Sequence, residues 1–109
     1  MDCVFCQIVA GKIPSDTLYQ DDEVMAFRDI HPKAPTHLLI IPKRHIGSLT
    51  DLTQADLSLV ARMVDVANKL AKQEGISQGY RLVINSGRSA GQVIPHLHMH
   101  LLGGKRLPD

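Results

Sequence analysis

The run His96-Leu97-His98-Met99-His100-Leu101-Leu102 constrains this chain more than any other stretch. Three of the six histidines fall there, each one apolar residue from the next. Side chains alternate across an extended strand, so His96, His98 and His100 share one face while Leu97, Met99 and Leu101 point into a core. The spacing predicts a strand over residues 94–102. Imidazole titrates near neutrality and serves as base, nucleophile or metal ligand, so function is the first hypothesis for the row. Three readings arise: one metal held by all three rings, a histidine-rich strand without chemistry, and an active site. The first strains reach, because His96 and His100 stand about 13 Å apart along a regular strand while zinc–nitrogen bonds are about 2.0–2.1 Å. The second leaves several ring nitrogens in want of partners. The third is the best fit: a central imidazole oriented through one nitrogen presents the other as a nucleophile.

The residues just upstream suit that third reading. Gly87 and Gly91 lie in a loop where backbone N–H groups can approach an anion, and Asn85 can donate a side-chain N–H to a phosphate oxygen. Attack by His98 on phosphorus, with loop donors stabilising the charge, is the chemistry these pieces allow.

The rest of the chain is an ordinary globular sequence. At 109 residues it argues for one domain over 1–109, long enough to bury a core without staples. Its formal net charge of +1 carries no footprint of a nucleic-acid binder. No apolar run approaches 18 residues and no leader pattern is present, which predicts a soluble, cytoplasmic protein without a membrane partner. Residues 3–10 have the i, i+4 spacing of a short helix, with Val4, Phe5, Ile8 and Val9 as its apolar positions and Gly11 as its stop. Strands are predicted at 17–20 and 24–29, joined as a hairpin, and at 37–41 and 80–85. Met25, Phe27 and Asp29 share one face of the second strand.

Thr53 with Asp56 three residues on marks the start of one long helix, ended by Gly75. Its apolar residues form two stripes: Leu57, Val60, Ala61, Val64 and Ala71, and beside them Leu59, Met63, Val66 and Leu70. Both together are wider than one sheet contact needs, so the helix is either deeply buried or partly turned to a partner subunit. Five strands and one main helix without βαβ alternation predict an α+β fold with a mostly antiparallel sheet.

The histidine run resembles the His-x-His-x-His-x-x motif of the histidine triad (HIT) superfamily. Counterparts follow in order: Phe27-Arg28-Asp29-Ile30, Ala34-Pro35-Thr36-His37, Ile41-Pro42-Lys43, Asn85-Ser86-Gly87, Gly91-Gln92 and Leu102-Gly103-Gly104. The similarity spans essentially the whole chain and is nearest to the nucleotide-binding (Hint-like) branch. It implies a homodimer whose two five-stranded sheets join into one ten-stranded sheet. It implies purine nucleotides as ligands and hydrolysis of adenosine phosphoramidates and related nucleoside monophosphate conjugates through a nucleotidyl-histidine. By matching position, His98 is the implied nucleophile, His100 contacts phosphate and shares in proton handling, and His96 supports His98. Asn85, Gly91 and Gln92 are implied around the phosphate, with Asp29 on the ribose hydroxyls. Val4, Phe5, Ile8, Ile13, Phe27 and Ile30 are implied around the base. No organic cofactor is expected.

His37 matches a histidine near the active site and reads equally well as a buried structural imidazole. Val93 stands where relatives often carry a hydroxyl, which removes a donor near the phosphate. His100, where transferases tend to have glutamine, favours water as the acceptor, and Gly103-Gly104, where dinucleoside hydrolases tend to have Pro-Arg, leans the same way, against the alternatives in the superfamily, dinucleoside polyphosphate hydrolase or nucleotidyltransferase. A nucleotide- or zinc-binding regulatory module with weak turnover is the alternative from another class.

Cys3 and Cys6 are the only cysteines, and C-x-x-C alone reads as half a metal site, a redox pair or chance. The resemblance adds two partners. In some relatives two cysteines, a histidine after the Pro-Lys strand end and the first triad histidine hold zinc, and here those are Cys3, Cys6, His45 and His96. Such a set is what tetrahedral structural zinc prefers.

Overall fold

The computed structural model describes residues 3–109, and the predicted periodicities resolve there into two helices and five strands. In chain order these are α1 (Val4–Val9), β1 (Thr17–Gln20), β2 (Val24–Arg28), β3 (Thr36–Pro42), α2 (Leu57–Gln73), β4 (Tyr80–Val83) and β5 (Met99–Gly103). The strands form one antiparallel sheet in the order β1-β2-β3-β5-β4. The α+β class, the antiparallel sheet and the one long helix are as the sequence predicts. Among the described residues no helix is long and apolar enough to cross a membrane.

The sheet is covered on both faces, which explains why β3 reads as a continuous apolar run. Leu38 and Ile40 pack with Leu59, Met63, Val66 and Leu70 of α2, while Leu39 and Ile41 pack with Phe5 and Ile8 of α1. The same division runs through β2, where Val24 and Ala26 face α2, and Met25 and Phe27 face α1. Burying each large aliphatic side chain contributes about 1.5–3 kcal/mol, so the α2 face carries most of the apolar stabilisation. The α1 face is thinner, and the cavity described below opens there.

Three boundaries differ from the sequence expectation. The Thr53–Asp56 cap exists, with the Thr53 N–H donating to Asp56 Oδ2 at 2.9 Å, but it opens a 3-10 turn at Gln54–Asp56 and α2 begins only at Leu57. Strand β5 begins at Met99 rather than near residue 94, because its ladder with β3 ends at the Ile40–Met99 pair. The Leu97 N–H bonds instead to the Ile46 carbonyl at 2.6 Å. Strand β4 ends at Val83 for a related reason: its last partner is His100, next to the start of β5. The two stripes of α2 also separate. The second is buried, whereas in the first Leu57 and Ala61 are exposed and Val60 and Val64 are half-buried.

Beyond β5 the chain turns at Gly104, whose φ of +93° is one that side chains rarely adopt. A Cβ there would also stand 2.9 Å from Pro35 Cβ. Gly104→Ala is expected to cost about 1–3 kcal/mol, read as a lower urea midpoint with an unchanged slope. Wild-type stability in this variant would show that the turn relaxes freely.

Candidate active site

A cavity of about 410 Å³ opens between α1, the end of β2 and the start of β5. Its apolar side is built by Phe5, Ile8, Ile13, Phe27 and Leu39, and its polar side by Asp29, Asn85, Gly91, His98 and His100. The period of α1 places Phe5 and Ile8 inward, and the alternation of β2 places Phe27 and Asp29 on the same side. Phe5 meets Phe27 edge-on at 5.6 Å and the His98 ring edge-on at 5.2 Å, so the apolar slot abuts the imidazole. The Asp29 carboxylate is held at the mouth by the His31 N–H, 2.8 Å from Oδ1. Gly91 has φ +97° and contributes bare backbone to the wall.

Two hydrogen-bond chains fix the tautomers of the cavity's imidazoles. His98 Nδ1–H donates to the His96 carbonyl at 2.7 Å, so its Nε2 keeps a free lone pair. The second chain starts at the backbone. The Lys33 N–H can only donate, and it donates to His37 Nδ1 at 3.1 Å. His37 therefore carries its proton on Nε2 and donates to His100 Nδ1 at 2.9 Å. His100 is left with a proton on Nε2. One ring thus offers a lone pair and its neighbour, 5.0 Å away between centroids, offers a proton.

Burial favours the neutral form of the His37–His100 chain. It pushes His100 down to about 4, with the neighbouring His98 and His37 adding to the effect. Burial also lowers His37, partly offset by Asp29 at 3.4 Å. Both folded values lie below the ordinary value of 6.5, so their contribution is complete above that pH and is lost as pH falls towards 4. The free energy of unfolding is expected to drop by about 2 kcal/mol between about pH 7 and pH 5 in urea titrations, with a shallower slope in His100→Gln. A flat profile in the wild type would contradict this burial.

The sequence-predicted residues do not all converge. His98, His100, Asp29, Asn85, Gly91, Phe5, Ile8, Ile13 and Phe27 line the cavity. Val4 lines it from the mouth, and Ile30 is a rim residue rather than a buried wall, 85% exposed. Val93 sits on the rim beyond Gly91, 84% exposed. Gln92 is not in the lining. Its Oε1 accepts from the Gly87 N–H at 2.9 Å and its Nε2 donates to the Gly47 and Ile94 carbonyls at 2.7 and 3.1 Å, so the amide is spent on holding the loop. Sequence reasoning missed Lys33, which acts through its backbone and leaves no side-chain signal.

His96 also lies outside the cavity, on the far side of Phe5. It is fully buried, and its Nε2–H donates to the Pro42 carbonyl at 2.8 Å, which turns a bare Nδ1 towards two thiols. Cys3 Sγ is 3.3 Å from that nitrogen, Cys6 Sγ is 3.6 Å from it, and Cys6 Sγ is 3.3 Å from His45 Nδ1. The four donor atoms lie within 4.8 Å of one another. Two sulfurs and two nitrogens at this spacing, with one tautomer fixed from behind, are compatible with tetrahedral zinc.

The chain is similar to several known proteins. The family model described as "Scavenger mRNA decapping enzyme C-term binding" matches residues 2–107. The purine nucleoside phosphoramidase of Escherichia coli (strain K12) is 50% identical over 107 residues, covering 97% of this chain and 90% of that protein. The 14 kDa zinc-binding protein of Zea mays is 48% identical over 107 residues, covering 95% and 83%. Among solved structures, the HIT family hydrolase from Legionella pneumophila Philadelphia 1 superposes with a TM-score of 0.96 at 48% identity, covering 98% of this chain and 96% of that one. The chain belongs to the HIT family of hydrolases.

Proposed function

We propose that this protein hydrolyses purine nucleoside monophosphate conjugates of the adenosine phosphoramidate type, through a nucleotidyl intermediate on His98. The observation that carries the reading is the pairing of a lone pair on His98 Nε2 with a proton on His100 Nε2 at the mouth of an apolar slot. The base lies between Phe5, Ile8 and Phe27, Asp29 accepts from the ribose hydroxyls, and the phosphate faces Asn85 and the backbone of Gly91. His98 Nε2 attacks phosphorus. The phosphorus–nitrogen bond breaks as the leaving nitrogen takes a proton from solvent, while the His100 Nε2–H donates to a non-bridging phosphate oxygen and stabilises its charge. A water then attacks the nucleotidyl-histidine, loses its proton to solvent, and releases the nucleotide and neutral His98. His37, held by the Lys33 N–H, is a positioning residue: it keeps His100 in the proton-donating tautomer.

Zinc fits the Cys3, Cys6, His45 and His96 set as a structural ion, where it would pin α1 to the segment before β5. Four protein ligands leave no open position, so it supplies no step of the reaction. The half-buried stripe of α2 and the unpaired edge of β4 support a homodimer with a continuous sheet. A second reading, a nucleotide-binding module with weak turnover, is favoured by Val93, an exposed apolar side chain that cannot donate to the phosphate. Incubation with an AMP phosphoramidate, with AMP binding measured alongside, separates the two. The hydrolase reading expects one amine and one AMP per substrate over many turnovers. Binding of AMP without turnover would leave only the module.

A further inference from the structure

We infer that Cys3 and Cys6 form a redox modification site whose state controls the nucleotide slot. The inference rests on the proposed function for its consequence, and on the geometry of α1 for its mechanism. One six-residue helix carries both features: Cys6, with Cys3 as its N-cap, faces His45 and His96, while Phe5 and Ile8 wall the cavity. Whatever moves the two sulfurs moves the slot.

The thiols are placed for oxidation to a disulfide. Both are free, Cys6 is half-buried beside the exposed His45, and Cys3 is buried behind it. Hydrogen peroxide is the oxidant. The Cys6 sulfur attacks one peroxide oxygen, giving a sulfenic acid and water. The Cys3 sulfur then attacks the Cys6 sulfur, forming the S–S bond and releasing a second water. Two thiols lose two electrons and two protons, and one peroxide becomes two waters. Any zinc held by the pair is released with its thiolate ligands gone.

Closing this bond changes α1 at its start. The two sulfurs must leave their 3.3 Å contacts with His96 Nδ1 and His45 Nδ1 and approach each other to about 2.05 Å. Cys3 is the extended N-cap, so the adjustment falls on the cap and the first turn. Cys3 Sγ also ceases to cap the Cys6 N–H, which it now accepts at 3.4 Å. His96 Nδ1, completely buried, loses both sulfur partners. Phe5, packed edge-on against His96 at 5.7 Å and His98 at 5.2 Å, is drawn along with the turn. The apolar slot and the nucleophile's flank are displaced together.

The test uses the full chain purified without chelator and treated with peroxide, followed by removal of the oxidant. The expected result is an intact mass lower by two hydrogens, release of bound zinc to a chromogenic chelator, faster amide exchange in residues 4–9, and weaker AMP binding. If the oxidised helix holds the competent arrangement about a tenth of the time, the AMP Kd rises about ten-fold. Dithiothreitol with added zinc reverses all four. Cys6→His keeps a nitrogen ligand and cannot form the disulfide, so its AMP Kd after treatment equals its own value before. A disulfide seen by mass with AMP affinity and α1 exchange unchanged would overturn the inference, as would peroxide treatment that forms no Cys3–Cys6 bond. If untreated protein binds no AMP, the proposed function fails and amide exchange in α1 alone decides this inference.

Discussion

His98→Ala is expected to reduce kcat for AMP phosphoramidate hydrolysis by at least about 10⁴-fold, because it removes the attacking atom rather than a supporting contact. A loss of that size corresponds to about 5.5 kcal/mol of transition-state stabilisation. AMP affinity should change little by comparison, since the slot of Phe5, Ile8 and Phe27 and the Asp29 carboxylate remain. Fold should also survive, because the ring occupies a cavity wall while Leu97, Met99 and Leu101 hold the segment in the core. The split between kcat and affinity is the informative part. Retained turnover in His98→Ala would mean that water attacks the substrate directly and that the row serves binding alone.

The second large effect concerns the metal. Protein purified without chelator is expected to hold close to one zinc per chain, and Cys3→Ser to hold almost none. Ligand deprotonation and folding are coupled to structural zinc, so losing it removes several kcal/mol of stability. For a chain of this size that is a fall in Tm of about 10 °C or more. The four donors come from α1, the turn after β3 and the segment before β5, three places no other polar cluster joins among the described residues. Zinc below about 0.2 per chain in the wild type, with Cys3→Ser equally stable, would reduce the cluster to two thiols packed beside two imidazoles.

Much of the fold was legible because burial imprints a period. The two-sided cover of β3 shows as an unbroken apolar run, and the alternation in residues 97–101 survives although only part of that run is in a strand. Strand ends were less legible, because they depend on where the pairing with a neighbouring strand stops: the β3–β5 ladder ends at Ile40 and Met99, and the Leu97 N–H goes to the Ile46 carbonyl. The cavity residues divide in the same way. Phe5, Phe27, Asp29, His98 and His100 carry their chemistry in the side chain and sit at positions whose facing the period sets. Gln92 looked like a phosphate-side donor, yet its amide satisfies three backbone groups that exist only once residues 47, 87 and 94 have come together. The Lys33 N–H, which decides the tautomers of His37 and His100, is a backbone atom present in every non-proline residue and so leaves no trace in a sequence. Cys3, Cys6, His45 and His96 are scattered along the chain, and only the likeness to other family members drew them together before the structure did.

The central claim is a covalent nucleotidyl-His98. It is tested most directly by the stereochemistry at phosphorus, using a P-chiral thio analogue of an adenosine phosphoramidate hydrolysed in heavy-oxygen water. Each in-line displacement inverts the phosphorus, so attack by His98 followed by attack of water predicts net retention of configuration. Net inversion would show a single direct displacement by water and would contradict the account.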